Sequence, residues 1–153
     1  MESSIKTVVV ACDHAAVDFK VELANHLKSL NIDVIDVGAH NTDPVDYPDY
    51  AGHACNKILS QEAQAGVLVC GSGIGMSIAA NKYKGIRAAL CHDYYTAMMC
   101  REHNDANIIC IGARTTGIEV AKQMLNIWVT HPFDTEAEKH RRRLDKIAEL
   151  ENA

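Results

Sequence analysis

Five short apolar runs, each followed by a stretch with helical spacing, constrain this chain more than any other feature. The runs are residues 7–12, 33–37, 66–70, 86–91 and 107–111, rich in valine, isoleucine and alanine. Such runs read as buried strands. Behind the first, Val17, Val21, Ala24, Leu27 and Leu30 recur at the spacing of one helix face. Further helices are predicted over 50–59, 73–81, 94–102 and 115–128, the last with Val120, Met124, Ile127 and Trp128 inward. Pro132 then breaks the chain, and Asp134 is a candidate cap for a final helix over about 134–151. Strand and helix in alternation predict an α/β fold: a five-stranded parallel sheet covered on both faces. In such sheets ligands sit beyond the carboxyl ends of the strands. Asp13-His14, the turn after Cys70, His92-Asp93 and Arg114 all follow strands directly, so they are expected on one edge.

The turn after the third strand carries the most chemistry. Cys70-Gly71-Ser72-Gly73-Ile74-Gly75-Met76 places a thiol before three alternate glycines and a helix start. Backbone N–H groups in so bare a turn can crowd around an oxygen or a phosphate. The helix start favours a thiolate, which makes Cys70 a candidate base or nucleophile. The turn is neither a dinucleotide fingerprint, because Met76 stands where the third glycine is needed, nor a P-loop, because no Gly-Lys-Ser/Thr ends it. A plain strand-to-helix connection is the competing reading.

Other groups carry two readings each. Asp13 caps a helix or touches a ligand, and His14 is exposed or contacts a phosphate. His103 ends a helix, where the dipole alone favours a charged imidazole. His26, His53 and His131 have no chemical company in sequence and read as surface residues. Cys100 and His103 have metal-like spacing without further ligands, so no metal is expected. Lys139-His140-Arg141-Arg142-Arg143 is either a solvated helix face or an anion clamp that reaches a site, on this chain or a neighbour.

At Asp13-His14, at Asp46-Tyr47-Pro48-Asp49-Tyr50-Ala51, at Cys70 to Met76 and at His103-Asn104-Asp105-Ala106-Asn107, the chain resembles the type B ribose-5-phosphate isomerases, whose family also holds galactose- and allose-phosphate isomerases. Each motif is weak alone; the ordered set spans nearly the whole chain. The resemblance implies a Rossmann-like α/β/α sandwich that interconverts ribose 5-phosphate and ribulose 5-phosphate without metal or cofactor. It implies a homodimer or homotetramer with active sites at the subunit interface and a place in the pentose phosphate pathway. It makes Cys70 the base at carbon 2. It assigns enediolate-binding amides to Gly71, Gly73, Ile74 and Gly75, with Ser72 beside them. It gives His103 and Asp13 to ring opening, Tyr47 and Asn104 to the sugar, and His14, Arg114, His140 and Arg143 to the phosphate. Two departures stand out: Ala15-Ala16 where the family has Ala-Gly, and Lys139 where Arg is usual. They bear on substrate fit and phosphate affinity, since Lys lacks the bidentate fork.

Composition narrows the alternatives. A net charge of −5 and 5% aromatic residues argue against a nucleic-acid binder. No apolar run approaches membrane-spanning length, and residues 1–6 show no signal-type pattern. Six cysteines with no CxxC pair suit free thiols in a reducing compartment, so a cytoplasmic enzyme is expected. A six-carbon phosphosugar isomerase, a phosphosugar-binding protein without turnover and a thiol redox sensor stay open as alternatives.

Overall fold

A computed structural model describes residues 5–153; the opening residues of the stretch read for a signal pattern lie outside the described part. Five parallel strands form one sheet in the order β2-β1-β3-β5-β4: β1 (Thr7–Cys12), β2 (Asp33–Asp36), β3 (Ala65–Cys70), β4 (Ala88–Leu90) and β5 (Ile108–Gly112). The sheet grows one way from β1 to β2 and the other way from β1 to β3. The ends of β1 and β3 therefore flank the switch point, where open α/β sheets bind ligands.

Strand side chains alternate between faces. Val8, Val10 and Cys12, with Val67, Val69, Ile109 and Ile111, bury against α1 (Val17–Ser29), α4 (Tyr94–Glu102) and α5 (Ile118–Thr130). Val9, Ala11, Leu68, Cys70, Ile108 and Cys110 face α2 (Tyr47–Leu59) and α3 (Ile74–Ala80). The expected three-layer sandwich is present. A sixth helix, α6 (Glu138–Leu150), lies outside those layers along the β4 side, its end tied down where Glu151 Oε1 accepts Gly85 N–H at 2.9 Å.

Several expectations need correction. α2 begins at Tyr47, because Pro48 sits in its first turn, where a missing N–H costs nothing. β4 shrinks to three residues at the sheet edge, with Asn81 pairing both the N–H and the carbonyl of Ala88 through its side-chain amide. α6 begins at Glu138: Asp134 Oδ1 instead takes the N–H groups of Glu136 and Ala137 in the preceding turn. Val21, Leu59, Val120, Ile147 and Leu150 are exposed. The inward face of α1 includes Lys20, 1% exposed, whose ammonium donates to Asp36 Oδ1 at 2.7 Å and Ala39 O at 2.8 Å. A buried ammonium survives only with such partners. Among the described residues no helix is long and apolar enough to cross a membrane.

Candidate active site

The carboxyl ends of β1, β3 and β5 meet in a set of tight turns. Asp13 N–H donates to Val69 O, Ala113 N–H to Cys70 O and Arg114 N–H to Gly71 O, which ties the three strand ends together. The glycines allow the approach. A Cβ on Gly112 would lie 2.7 Å from the backbone of Ser72, and one on Gly73 would lie 2.6 Å from Leu90. Gly73 also has φ +76°, a conformation that strains any side chain.

Cys70 is 5% exposed at the mouth of this arrangement. Gly73 N–H donates to Cys70 Sγ at 3.1 Å, and Ile74 N–H donates to Ser72 Oγ at 3.2 Å. The turn thus satisfies two of the four amides that begin α3, and those of Gly75 and Met76, at its second and third positions, have no intrahelical acceptor. α3 has only seven residues, so the donors it offers are individual N–H groups rather than a long helix dipole.

Four further residues named from sequence stand at the same edge of the sheet. The Tyr47 ring lies over Gly75, where a Cβ would come within 2.7 Å of it. The Arg114 side chain runs beside Gly71, with Nη1 3.3 Å from a Cβ placed there. Asp13 is 9% exposed, and its Oδ1 accepts Ala15 N–H at 2.9 Å. His14 Nδ1 accepts Val45 N–H at 3.1 Å, so the neutral ring carries its proton on Nε2 and presents a donor. Of the other expected edge pair, Asp93 is spent in a capping box with Thr96, and His92 is exposed. Burial pushes the thiols of Cys12 and Cys55 up to about 11 and raises that of Cys110, so none of these three serves as a base at neutral pH.

The remaining site residues lie elsewhere. α4 starts at the carboxyl edge and runs back, so His103 at its C-terminus sits at the amino edge. Asn104 O accepts Arg87 Nε–H at 3.1 Å, just before β4 begins, and Arg87 N–H donates to Asn107 Oδ1, just before β5. Asp105, at φ +43° and paired with Arg101, turns the chain out of the helix. Cys70 is level with the last residue of β5, while His103 precedes its first. The length of β5, roughly 13 Å, separates the two groups.

His103 has its own surroundings. Its ring stacks on His140 with centroids 4.3 Å apart and planes 16° apart. His140 is 5% exposed, beneath the basic face of α6 rather than on it, and its Nδ1 has no hydrogen-bond partner among the described residues. Burial, then the charges of His103, Lys139 and Arg143, hold its imidazole below the ordinary histidine range. Arg143 and Lys139 are exposed. His131, read from sequence as a bare surface residue, instead binds Glu102, Nε2 to Oε2 at 2.6 Å. His53 is exposed as expected, and His26 contacts Asn126.

One chain therefore carries two candidate half-sites at opposite edges of its sheet: Asp13, His14, Tyr47, Cys70 to Gly75 and Arg114 on one, His103, Asn104, His140 and Arg143 on the other. Beside the second half-site, a cleft of about 670 Å³ runs between α6 and β4, lined by Ile86, Ala88, Ala106, Ile147 and Leu150 with Asn104 at its wall.

Comparison with known proteins agrees with this architecture. A family profile described as Ribose/Galactose Isomerase matches residues 8–147. Ribose-5-phosphate isomerase B of Escherichia coli is 37% identical over 147 residues, which cover 96% of this chain and 97% of that protein. The galactose-6-phosphate isomerase subunit LacB of Clostridium acetobutylicum is 39% identical over 122 residues, 80% of this chain and 70% of that one. The structure of type B ribose 5-phosphate isomerase from Leishmania infantum superposes with a TM-score of 0.93 at 45% identity, covering 97% of each chain.

Proposed function

The chain belongs to the ribose/galactose isomerase family, and from that premise we propose that it interconverts D-ribose 5-phosphate and D-ribulose 5-phosphate through a cis-enediolate. The observation that carries this reading is the setting of Cys70: a nearly buried sulfur at the switch point, accepting Gly73 N–H, at the turn that opens α3. An aldose–ketose isomerisation needs one base that moves a proton between adjacent carbons and donors for the oxygen that gains charge. The Cys70 thiolate takes the proton from carbon 2 and returns it to carbon 1. The α3 amides stabilise the enediolate oxygen, with Ser72 hydroxyl beside them. The Gly73 N–H bond fixes the sulfur at the mouth of the turn.

Ribose 5-phosphate is a furanose and must open first. His103 moves the proton between the anomeric hydroxyl and the ring oxygen, and Asp13 contacts the ring oxygen or a hydroxyl. Tyr47 and Asn104 line the sugar. His14 and Arg114 on one half-site, and Arg143 on the other, grip the phosphate. That grip fixes the end of the molecule that does not react, so binding energy positions the carbons that do. His140, buried and favouring the neutral ring, supports His103 rather than adding positive charge.

Cys70 and His103 act on one sugar only if they come from different chains. We infer a homodimer, or a tetramer of such pairs, in which the carboxyl edge of one protomer meets the amino edge and α6 of its partner. The apolar cleft along β4 and the exposed Ile74, Ile78, Tyr94 and Tyr95 at the other edge supply surface for that contact. Six cysteines, all unpaired, support a reducing compartment such as the cytoplasm.

The test is conversion of ribose 5-phosphate by the purified protein with EDTA present, beside Cys70→Ala. We expect turnover in the native protein and a loss of at least about 10²-fold in the variant, with phosphosugar binding retained. Retained turnover in Cys70→Ala removes the thiol from the base role. A native protein that converts a six-carbon phosphosugar and not the pentose moves the reading to the activity named for the LacB relative.

A further inference from the structure

Glu102 is the residue before His103, and nothing in the mechanism above uses it. Its side chain faces two imidazoles. Oε2 is 2.6 Å from His131 Nε2, and Oε1 is 3.6 Å from His103 Nε2, close enough for attraction but too long for a hydrogen bond. Its carbonyl accepts Asp134 N–H at 3.0 Å. One residue thus fastens the end of α4 to the 131–134 segment at two points. That segment leads directly into α6: Asp134 Oδ1 takes the amides of Glu136 and Ala137, and Phe133 lies under the Arg141 guanidinium at 5.0 Å. One turn further on, His140 stacks on His103. The contacts close a ring that runs from Glu102 through His131 and Asp134 to His140 and back to His103.

His103 needs such a frame. It sits at the C-cap of a nine-residue helix, 41% exposed, and its ring is fixed on one face by His140. If α6 shifts, that stacking partner moves with it. We propose that Glu102 and His131 form a positioning pair that holds His103 and the start of α6 in register for ring opening of the sugar phosphate. The inference rests on the isomerase reading and deepens it. In the step concerned, the proton leaves O1, C1=O forms, the C1–O4 bond breaks, and one proton returns to O4. Nothing else is consumed. The pair touches no substrate; it acts by keeping the imidazole where both oxygens can be reached.

Ring opening and carbon–hydrogen chemistry can be measured separately. Ribulose 5-phosphate is open-chain, so exchange of its carbon 1 hydrogen with deuterated solvent needs Cys70 and the enediolate donors but no ring step. Glu102→Ala is expected to lower kcat for ribose 5-phosphate conversion by about tenfold with KM within about twofold, while solvent exchange from ribulose 5-phosphate stays within about twofold of native. Glu102→Gln keeps an oxygen that can accept His131 Nε2–H and is expected to recover most of the loss. His131→Phe breaks the same bond from its other side, and is expected to show the same split between conversion and exchange. It also serves if Glu102→Ala does not fold. Conversion that stays native in Glu102→Ala or His131→Phe overturns the positioning role, and so do conversion and exchange that fall together. A native protein that neither converts nor exchanges overturns the isomerase reading itself, which is a different result.

Discussion

At the scale of the residue, the site is made by what is missing as much as by what is present. Gly73 gives its N–H to Cys70 Sγ while holding φ +76° against Leu90 and the β5 turn. A side chain there meets Leu90 and the backbone of Ile111 and Gly112 at 3.1 Å or less. Gly73→Ala should therefore cost about 1–3 kcal/mol of stability. It should lower turnover by more than that loss explains, because the donor to the sulfur moves with the turn. Urea unfolding beside steady-state kinetics separates the two effects; a variant with native kinetics would mean that the Gly73 amide does not matter to the thiol. Cys70 was legible from sequence because a thiol before alternating glycines is a local pattern. Lys20 and the Glu102–His131 bond were not. A lysine at helical spacing gives no sign that its ammonium will meet Asp36, and a contact across 29 positions has no local signature.

At the scale of the element, α4 and α6 decide where His103 and His140 stand. The alternation of strand and helix already required α4 to return the chain to the amino edge. Grouping residues directly after strands puts Asp13-His14, the Cys70 turn, His92-Asp93 and Arg114 at the carboxyl edge, whereas His103, just before β5, falls at the other. Pro48 and the short β4 show the opposite problem. Proline marks a loop and also a first helical turn, and an edge strand can lose its ends without losing its apolar residues. α6 buries His140 and Leu144. His140 binds a proton less readily folded than unfolded, so the unfolded chain takes up more protons as pH falls. Its contribution is present above the unfolded value of about 6.5 and is lost as pH falls below it. Native protein should thus lose more stability between about pH 7.5 and about pH 5.5 than His140→Gln does, read as the change in urea midpoint. Equal losses in both proteins would mean that His140 protonates without disturbing α6.

At the scale of the whole molecule, the sandwich places Cys70 at one edge of its sheet and His103 at the other, so the proposed reaction needs a group from each edge. Cys70 with its donors, Asp13, His14 and Tyr47 cannot reach His103 across the sheet, and no side chain spans the length of β5. Two-fold pairing solves this, because a self-complementary contact that brings one unlike pair of edges together brings the other pair together too. The measurement that tests this account most directly mixes two inactive proteins. Cys70→Ala and His103→Ala are each purified, then refolded together. In a mixed dimer, one site takes Cys70 from one chain and His103 from the other and is native, while its second site lacks both. With random pairing, half of the dimers are mixed and each has one working site, so the mixture should regain about a quarter of native ribose 5-phosphate isomerase activity. If mixed dimers form, as mass spectrometry would record, and the activity stays at the level of the separate variants, the two half-sites do not serve one substrate and the account is wrong.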